Sequence, residues 1–257
     1  MSTHQQTSTQ LPYAVPAVLL AAGKGTRMRA REPKAAVRVG GKPMAARVAS
    51  AMRAAGISPI IAVVGHRPDD VRAAMGDGVE YVTQEEQLGT GHAARCAETA
   101  LSAYRGPLVI AYADIPLLSS RDITRLVAHH LEATAAATLL TAVFDDPGTL
   151  GRIIRDPGGR VQAIVEARDA TPEQLEVREI NVGVYCFEAP LVFEILTNLT
   201  NENAQRQYYL TDVIGVLSKR GALVEAVAME CAHNGMGVDT AEDLVRARRL
   251  WATGKTF

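Results

Sequence analysis

Paired cysteines are missing from this chain. Its 257 residues hold three, Cys96, Cys186 and Cys231, an odd number, far apart and without metal-ligand spacing. That excludes a disulfide framework and reads as reduced thiols packed in the core of a cytoplasmic protein. An excess of charge of one sign is missing too: the formal net charge is −1 and the isoelectric point about 6.6. No global positive field exists to hold nucleic acid or an anionic membrane, so any cationic chemistry is local. No run approaches the ~18 apolar residues of a membrane span. The opening MSTHQQTSTQLPYAVP lacks both the basic start and the apolar centre of a signal peptide. Residues 1–13 read as a disordered tail, and 14–257 as one domain long enough to bury a sizeable core.

What is present is alternation. Strand-like runs lie at 14–22, 59–65, 79–83, 107–113, 136–143, 181–188 and 222–227. Between them PMAARVASAMRAAG, GHAARCAETALSAY, RDITRLVAHHLEAT and LTDVIGVLSKRG carry apolar residues at three- and four-residue spacing. This predicts an α/β fold: a single Rossmann-like domain, a mostly parallel twisted sheet with helices on both faces. Residues 151–170, GRIIRDPGGRVQAIVEARDA, break the alternation and read as a hairpin turned at Asp156-Pro157-Gly158-Gly159, an insertion suited to a lid or a substrate-side wall. Near the end, TAEDLVRARRLWATGK predicts a capped helix starting near Thr240.

The first strand run leads into LLAAGKGTRM. In open α/β sheets the loop after the first strand is the usual phosphate cradle. Two familiar phosphate motifs are absent: the spacing of a P-loop is not met, and Met28 stands where a dinucleotide fingerprint needs a third small residue. Gly23 and Gly25 still let the backbone approach a ligand and present amides to oxyanions. Lys24, Arg27 and Pro33-Lys34 add cations. The same residues also fit a solvated basic turn that uses glycine only for tightness. Asp114 closes the run VIAYAD at the carboxyl edge of the sheet, where a hard oxygen donor suits Mg²⁺. Asp239, in GMGVDTAED, is either a second such donor or a cap for the last helix. No histidine has zinc-ligand spacing and no serine nucleophile elbow occurs. His92 is expected to start a helix, and His129-His130 to lie exposed on one.

The order LAAGKGTRM, PK, QLGTGHA, YAD, GRI, VEARDA, INVGVY, YYLTDVI resembles the uridylyltransferase (pyrophosphorylase) domain of bacterial N-acetylglucosamine-1-phosphate uridylyltransferases, from about Val15 to about Leu250. The resemblance implies Mg²⁺-dependent joining of UTP to a sugar 1-phosphate with release of pyrophosphate. Its partners are then small molecules, with no nucleic acid and no membrane. It places Arg27 and Lys34 on the phosphates as the catalytic cations, with Asp114 and Asp239 as metal ligands. Leu20, Ala21, Ala22, Gly23, Gly25, Gln84, Gly89 and Thr90 frame the nucleotide, Gln84 matching the imide edge of uracil. Tyr112, Ala113, Gly151, Glu166 and Asn181 face the sugar phosphate, whereas Thr211 and Asp212 are expected to cap a helix instead.

Four positions depart from the family pattern: Ala113 replaces the Gly of YGD, Asp239 an Asn, Leu150 a Tyr, and Arg168 a Lys. They fall mostly on the sugar side, where methyl-sized changes shift preference by ~1–3 kcal/mol, so UTP use is expected to be kept more firmly than the acceptor. Members of the family continue into a β-helix of hexapeptide repeats that carries acetyltransferase activity; these residues contain no such repeat, and neither acetyl transfer nor the trimer built by that part is expected of them. Two other readings remain: a nucleotidyltransferase of the same fold with another nucleotide or an unusual phosphorylated acceptor, and a catalytically silent nucleotide-binding regulator. An oxidoreductase is remote, for want of the third glycine.

Overall fold

A computed structural model describes residues 14–28 and 30–254; the tail expected at 1–13 lies outside the described residues. The strands are β1 Val15–Ala21, β2 Arg38–Val39, β3 Lys42–Pro43, β4 Ile57–Val64, β5 Glu80–Thr83, β6 Pro107–Tyr112, β7 Ala137–Val143, β8 Arg152–Arg155, β9 Val161–Val165, β10 Glu179–Glu188 and β11 Val224–Ala228. The helices are α1 Met44–Ala54, α2 Pro68–Met75, α3 Thr90–Arg95, α4 Ser120–Ala133, α5 Pro172–Leu175, α6 Ala189–Thr197, α7 Asp212–Lys219 and α8 Ala241–Ala252. The main sheet runs β11-β7-β10-β6-β1-β4-β5. Every pairing along it is parallel except the two made by β10, which lies antiparallel between β6 and β7. A period-2 pattern carries no strand direction, so the sequence alone could not mark β10 as the inverted one.

All seven residues of β1 are buried, as expected of a strand covered on both faces. Alternate residues enter different cores. Val15, Ala17, Leu19 and Ala21 pack with α1, α2 and α4, whereas Val18 and Leu20 pack with α3, α6 and α7. A smaller cluster of Met28, Val37, Val39, Met44, Leu117, Met236, Val238 and Ala247 fastens α8 beneath the loop that follows β1. The hairpin β8-β9 forms as expected and joins the sheet through Arg152 opposite Ile180.

Chain order explains where a ligand would sit. From β1 the chain moves outward to β4 and β5, then returns to place β6 on the other side of β1. Loops leaving β1 and β6 therefore diverge at a switch in topology, opening a crevice at the carboxyl ends of the strands. Those two loops carry Gly23 to Met28 and Asp114.

Candidate active site

Four charged side chains converge at that crevice. Lys34 Nζ donates to Asp114 Oδ2 and, at 2.6 Å, to Asp239 Oδ1. Arg27 reaches the same Asp239 oxygen at 2.9 Å. Local geometry explains the convergence. Gly25 has φ +64°, and a Cβ there would stand 2.5 Å from Lys34 Cβ, so only glycine lets the first loop lie against the lysine. Asp239 is drawn in by a backbone bond from Val238 N to Asp114 O at 2.9 Å. Burial works against the Lys34 charge, but Asp114 and Asp239 outweigh it and hold the ammonium above its ordinary pKa. Burial raises the Asp239 carboxyl, and Lys34 with Arg27 more than reverses this, leaving it below the usual carboxylate range.

The capping alternative for Asp239 is not what the structure shows. Thr240 and Asp243 form the capping box of α8, and Asp243 Oδ2 also accepts from the Asp239 backbone N–H at 3.1 Å. The Asp239 side chain is left to the cations. Lys24 is exposed and makes no ion pair among the described residues. Leu20, Ala21 and Ala22 are buried, so what they offer a ligand is backbone; Leu20 O already accepts from Ala113 N at 3.1 Å. A Cβ at Gly23 would meet nothing within 4 Å, which leaves open space before the loop.

The second group of predicted residues gathers beyond β5. Gln84 is buried; its backbone N–H donates to Val64 O at 2.7 Å, which seats it at the end of β4. Its Nε2 lies 3.1 Å from Gly89 O and 2.9 Å from His92 Nδ1. Gly89 has φ +113° and a Cβ there would stand 2.5 Å from Tyr208 O, so this turn also needs glycine. Tyr208 in turn accepts from Gly91 N at 2.8 Å, and Thr90 Oγ1 accepts from Leu210 N at 3.0 Å. These bonds stitch QLGTGHA to YYLTDVI. Gln87 on the same loop buries an Oε1 with no hydrogen-bond donor among the described residues.

The third group surrounds Tyr112. Tyr112 packs edge-on against Tyr185, ring centroids 6.2 Å apart, and burial pushes both phenols far above their ordinary pKa. Asn181 Nδ2 donates to Tyr185 Oη at 2.7 Å while Asn181 Oδ1 accepts from Gly183 N at 3.1 Å. One N–H and one lone pair remain on that amide for a ligand. Gly183 sits at φ +84° where the β10–β7 register shifts, and a Cβ there would stand 2.4 Å from the Tyr112 ring. Gly151 O accepts from Asn181 N at 2.9 Å. Glu166 lies against Gly151, and burial raises its carboxyl despite a 3.1 Å bond from Thr211 Oγ1.

Comparison with known proteins bears on this arrangement. A family model for the MobA-like NTP transferase domain matches residues 17–205. The chain belongs to this family. Among curated proteins, it is 45% identical over 235 residues to the "Bifunctional protein GlmU" of Syntrophotalea carbinolica, covering 91% of this chain and 50% of that protein. It is 43% identical over 239 residues to the protein of the same name from Pelobacter propionicus, covering 92% of this chain and 52% of that one. The chain thus spans about half the length of these relatives, and the family resemblance read from the motifs is borne out. A crystal structure of UDP-glucose pyrophosphorylase complexed with UDP-glucose superposes with a TM-score of 0.74 at 16% identity, over 94% of this chain and all of that one (100%), which supports the fold.

Two expectations are corrected within this MobA-like domain. Thr211 stands at the N-cap of α7 but makes no side-chain cap bond; its hydroxyl holds Glu166 instead. The expected exposed pair His129-His130 is split. His129 is partly exposed, whereas His130 is buried between Thr138 Oγ1 at 3.0 Å and Glu188 Oε1 at 3.3 Å. Consecutive helix residues point about 100° apart, and the spacing Ile123, Leu126, Val127, His130 carried the signal. Tyr185, Gly183 and Gln87 were not singled out from sequence, because their roles depend on pairing across β10 and on an orphaned acceptor.

Proposed function

We propose that this chain joins UTP to a sugar 1-phosphate, with N-acetylglucosamine 1-phosphate the first choice of acceptor, giving a UDP-sugar and pyrophosphate in the presence of Mg²⁺. The observation that supports this most is the convergence of Arg27, Lys34, Asp114 and Asp239 at the switch point. The attacking group is a phosphate monoester oxygen whose second pKa near ~6 leaves it largely ionised at pH 7. No general base is needed. The obstacle is repulsion between two anions, and fixed cations lower it most effectively. Arg27 and Lys34 would bind phosphate oxygens and offset charge on the departing pyrophosphate.

The donor set fits a hard divalent ion. Asp114 and Asp239 aim carboxylate oxygens at one point, marked by the Lys34 ammonium, and Mg²⁺ takes one or two such carboxylates together with phosphate oxygens and water. Among the described residues no group of three or more His, Cys, Asp or Glu side chains gathers to hold a metal, so the ion would rest on these two carboxylates and on its substrate phosphates and water. Bound there, the ion would neutralise phosphate charge. Gln84 offers its carbonyl oxygen to the base, while Glu166 and Asn181 face the sugar hydroxyls. The three cysteines form no disulfide, which favours a reducing, cytoplasmic setting; no described helix is long and apolar enough to cross a membrane.

A second reading, the same chemistry with a different acceptor, is favoured by Ala113 and Leu150, which border the proposed sugar side. A panel of sugar 1-phosphates with UTP, scored by pyrophosphate release, decides between them. Turnover highest with N-acetylglucosamine 1-phosphate supports the first; turnover with none of the panel contradicts both.

A further inference from the structure

We propose that His92 is a positioning residue that fixes which end of the Gln84 amide faces the base, and so makes the site select uracil over cytosine. The inference rests on the nucleotide reading above and deepens it. Its basis is a chain of hydrogen-bond polarity. Gly89 O can only accept, so the Gln84 atom 3.1 Å from it must be Nε2. That same Nε2 lies 2.9 Å from His92 Nδ1, which must therefore present a lone pair and leave the imidazole proton on Nε2. Both amide hydrogens are then taken. No described residue donates to Gln84 Oε1, which is left as the only face for a ligand.

Uracil presents N3–H, a donor, to such an oxygen. Cytosine presents the N3 lone pair, which the same oxygen repels. Turning the amide over would reverse the preference, but it would set Gln84 Oε1 against Gly89 O and against the Nδ1 lone pair. The neutral imidazole this needs is what the environment provides: burial lowers the His92 pKa and Arg95 adds to the effect, with Glu86 opposing. His92 touches no substrate in this scheme. It acts through Gln84.

The test compares kcat/KM for UTP and CTP, with a fixed sugar 1-phosphate, in the wild-type chain, His92→Ala and His92→Asn, alongside thermal melting. Asn places an amide oxygen where Nδ1 stood and so restores the acceptor. In His92→Ala the UTP-to-CTP ratio is expected to fall about tenfold, since one of the two bonds fixing the amide is gone, with the loss in KM for UTP rather than kcat. In His92→Asn the ratio stays near wild type. His92→Leu, which keeps bulk without a lone pair, repeats the Ala result if packing loss confounds it. An unchanged ratio in His92→Ala, a ratio lost equally in His92→Asn, or UTP and CTP weakened alike overturns the inference. A wild-type chain with no preference for UTP refutes the nucleotide reading itself and removes the ground of this one.

Discussion

Asp239 carries two cations on one oxygen, Lys34 at 2.6 Å and Arg27 at 2.9 Å, so its charge matters beyond any role toward a metal. Asp239→Asn keeps an oxygen donor but loses the negative charge, and the Mg²⁺ concentration for half-maximal turnover is expected to rise several-fold; a magnesium titration of the initial rate measures it. On the proposed function Lys34→Ala would remove a donor to developing charge, and pyrophosphate release is expected to fall by about 10²–10³, with nucleotide binding followed separately by calorimetry. Asp212 gives a pH prediction. Its carboxyl is raised to about 6 by burial and by Asp169, with Lys219 opposing. A carboxyl raised in the folded state binds protons more tightly than the unfolded chain, so it weakens stability as pH rises through about 6. Asp212→Asn should therefore raise the melting temperature at pH 7.5, and the gain should shrink by pH 5. Lys34, Arg27 and Asp114 were legible in the sequence because their motifs are local. Gln84's polarity was not, since it depends on Gly89 and His92 being folded against it.

Elements were legible where the pattern was strong. The seven strand runs all form, with the last shifted to Val224–Ala228, and four of the helices fall where apolar spacing placed them. The helix expected in GHAARCAETALSAY is shorter, ending at Arg95 with a 3-10 turn over Thr99–Leu101. Three helices were missed, α2, α5 and α6, each with proline in its first turn; proline read as a breaker hides a helix start. His130 belongs to this scale because it ties α4 to β7 and β10. It lies at the edge of the sheet away from the crevice, so His130→Ala should cost about 1–3 kcal/mol, the usual penalty for stranding buried partners such as Thr138. A denaturant midpoint measures that cost, and turnover of the folded fraction should be retained. Gly183→Ala, by contrast, drives a Cβ into the Tyr112 ring. It is expected to raise KM for the sugar phosphate in the same pyrophosphate assay while leaving UTP binding within a few-fold.

At the scale of the molecule, a chain of net charge −1 concentrates a few cations at one rim rather than spreading a global field. The sheet order makes that possible: β6 returns beside β1, and the loops of both strands, the Lys34 turn and the segment before α8 all meet there. Composition predicted the absence of a broad basic surface, and motif order predicted which residues meet. Strand order and the inversion of β10 came only from tertiary pairing. The measurement that tests the account most directly is pyrophosphate release from UTP and N-acetylglucosamine 1-phosphate, run in parallel with Mg²⁺ and with EDTA, for the wild-type chain and Asp114→Ala. The account predicts turnover only in the wild-type reaction with Mg²⁺; equal rates in EDTA, or an Asp114→Ala chain as fast as wild type, would contradict it.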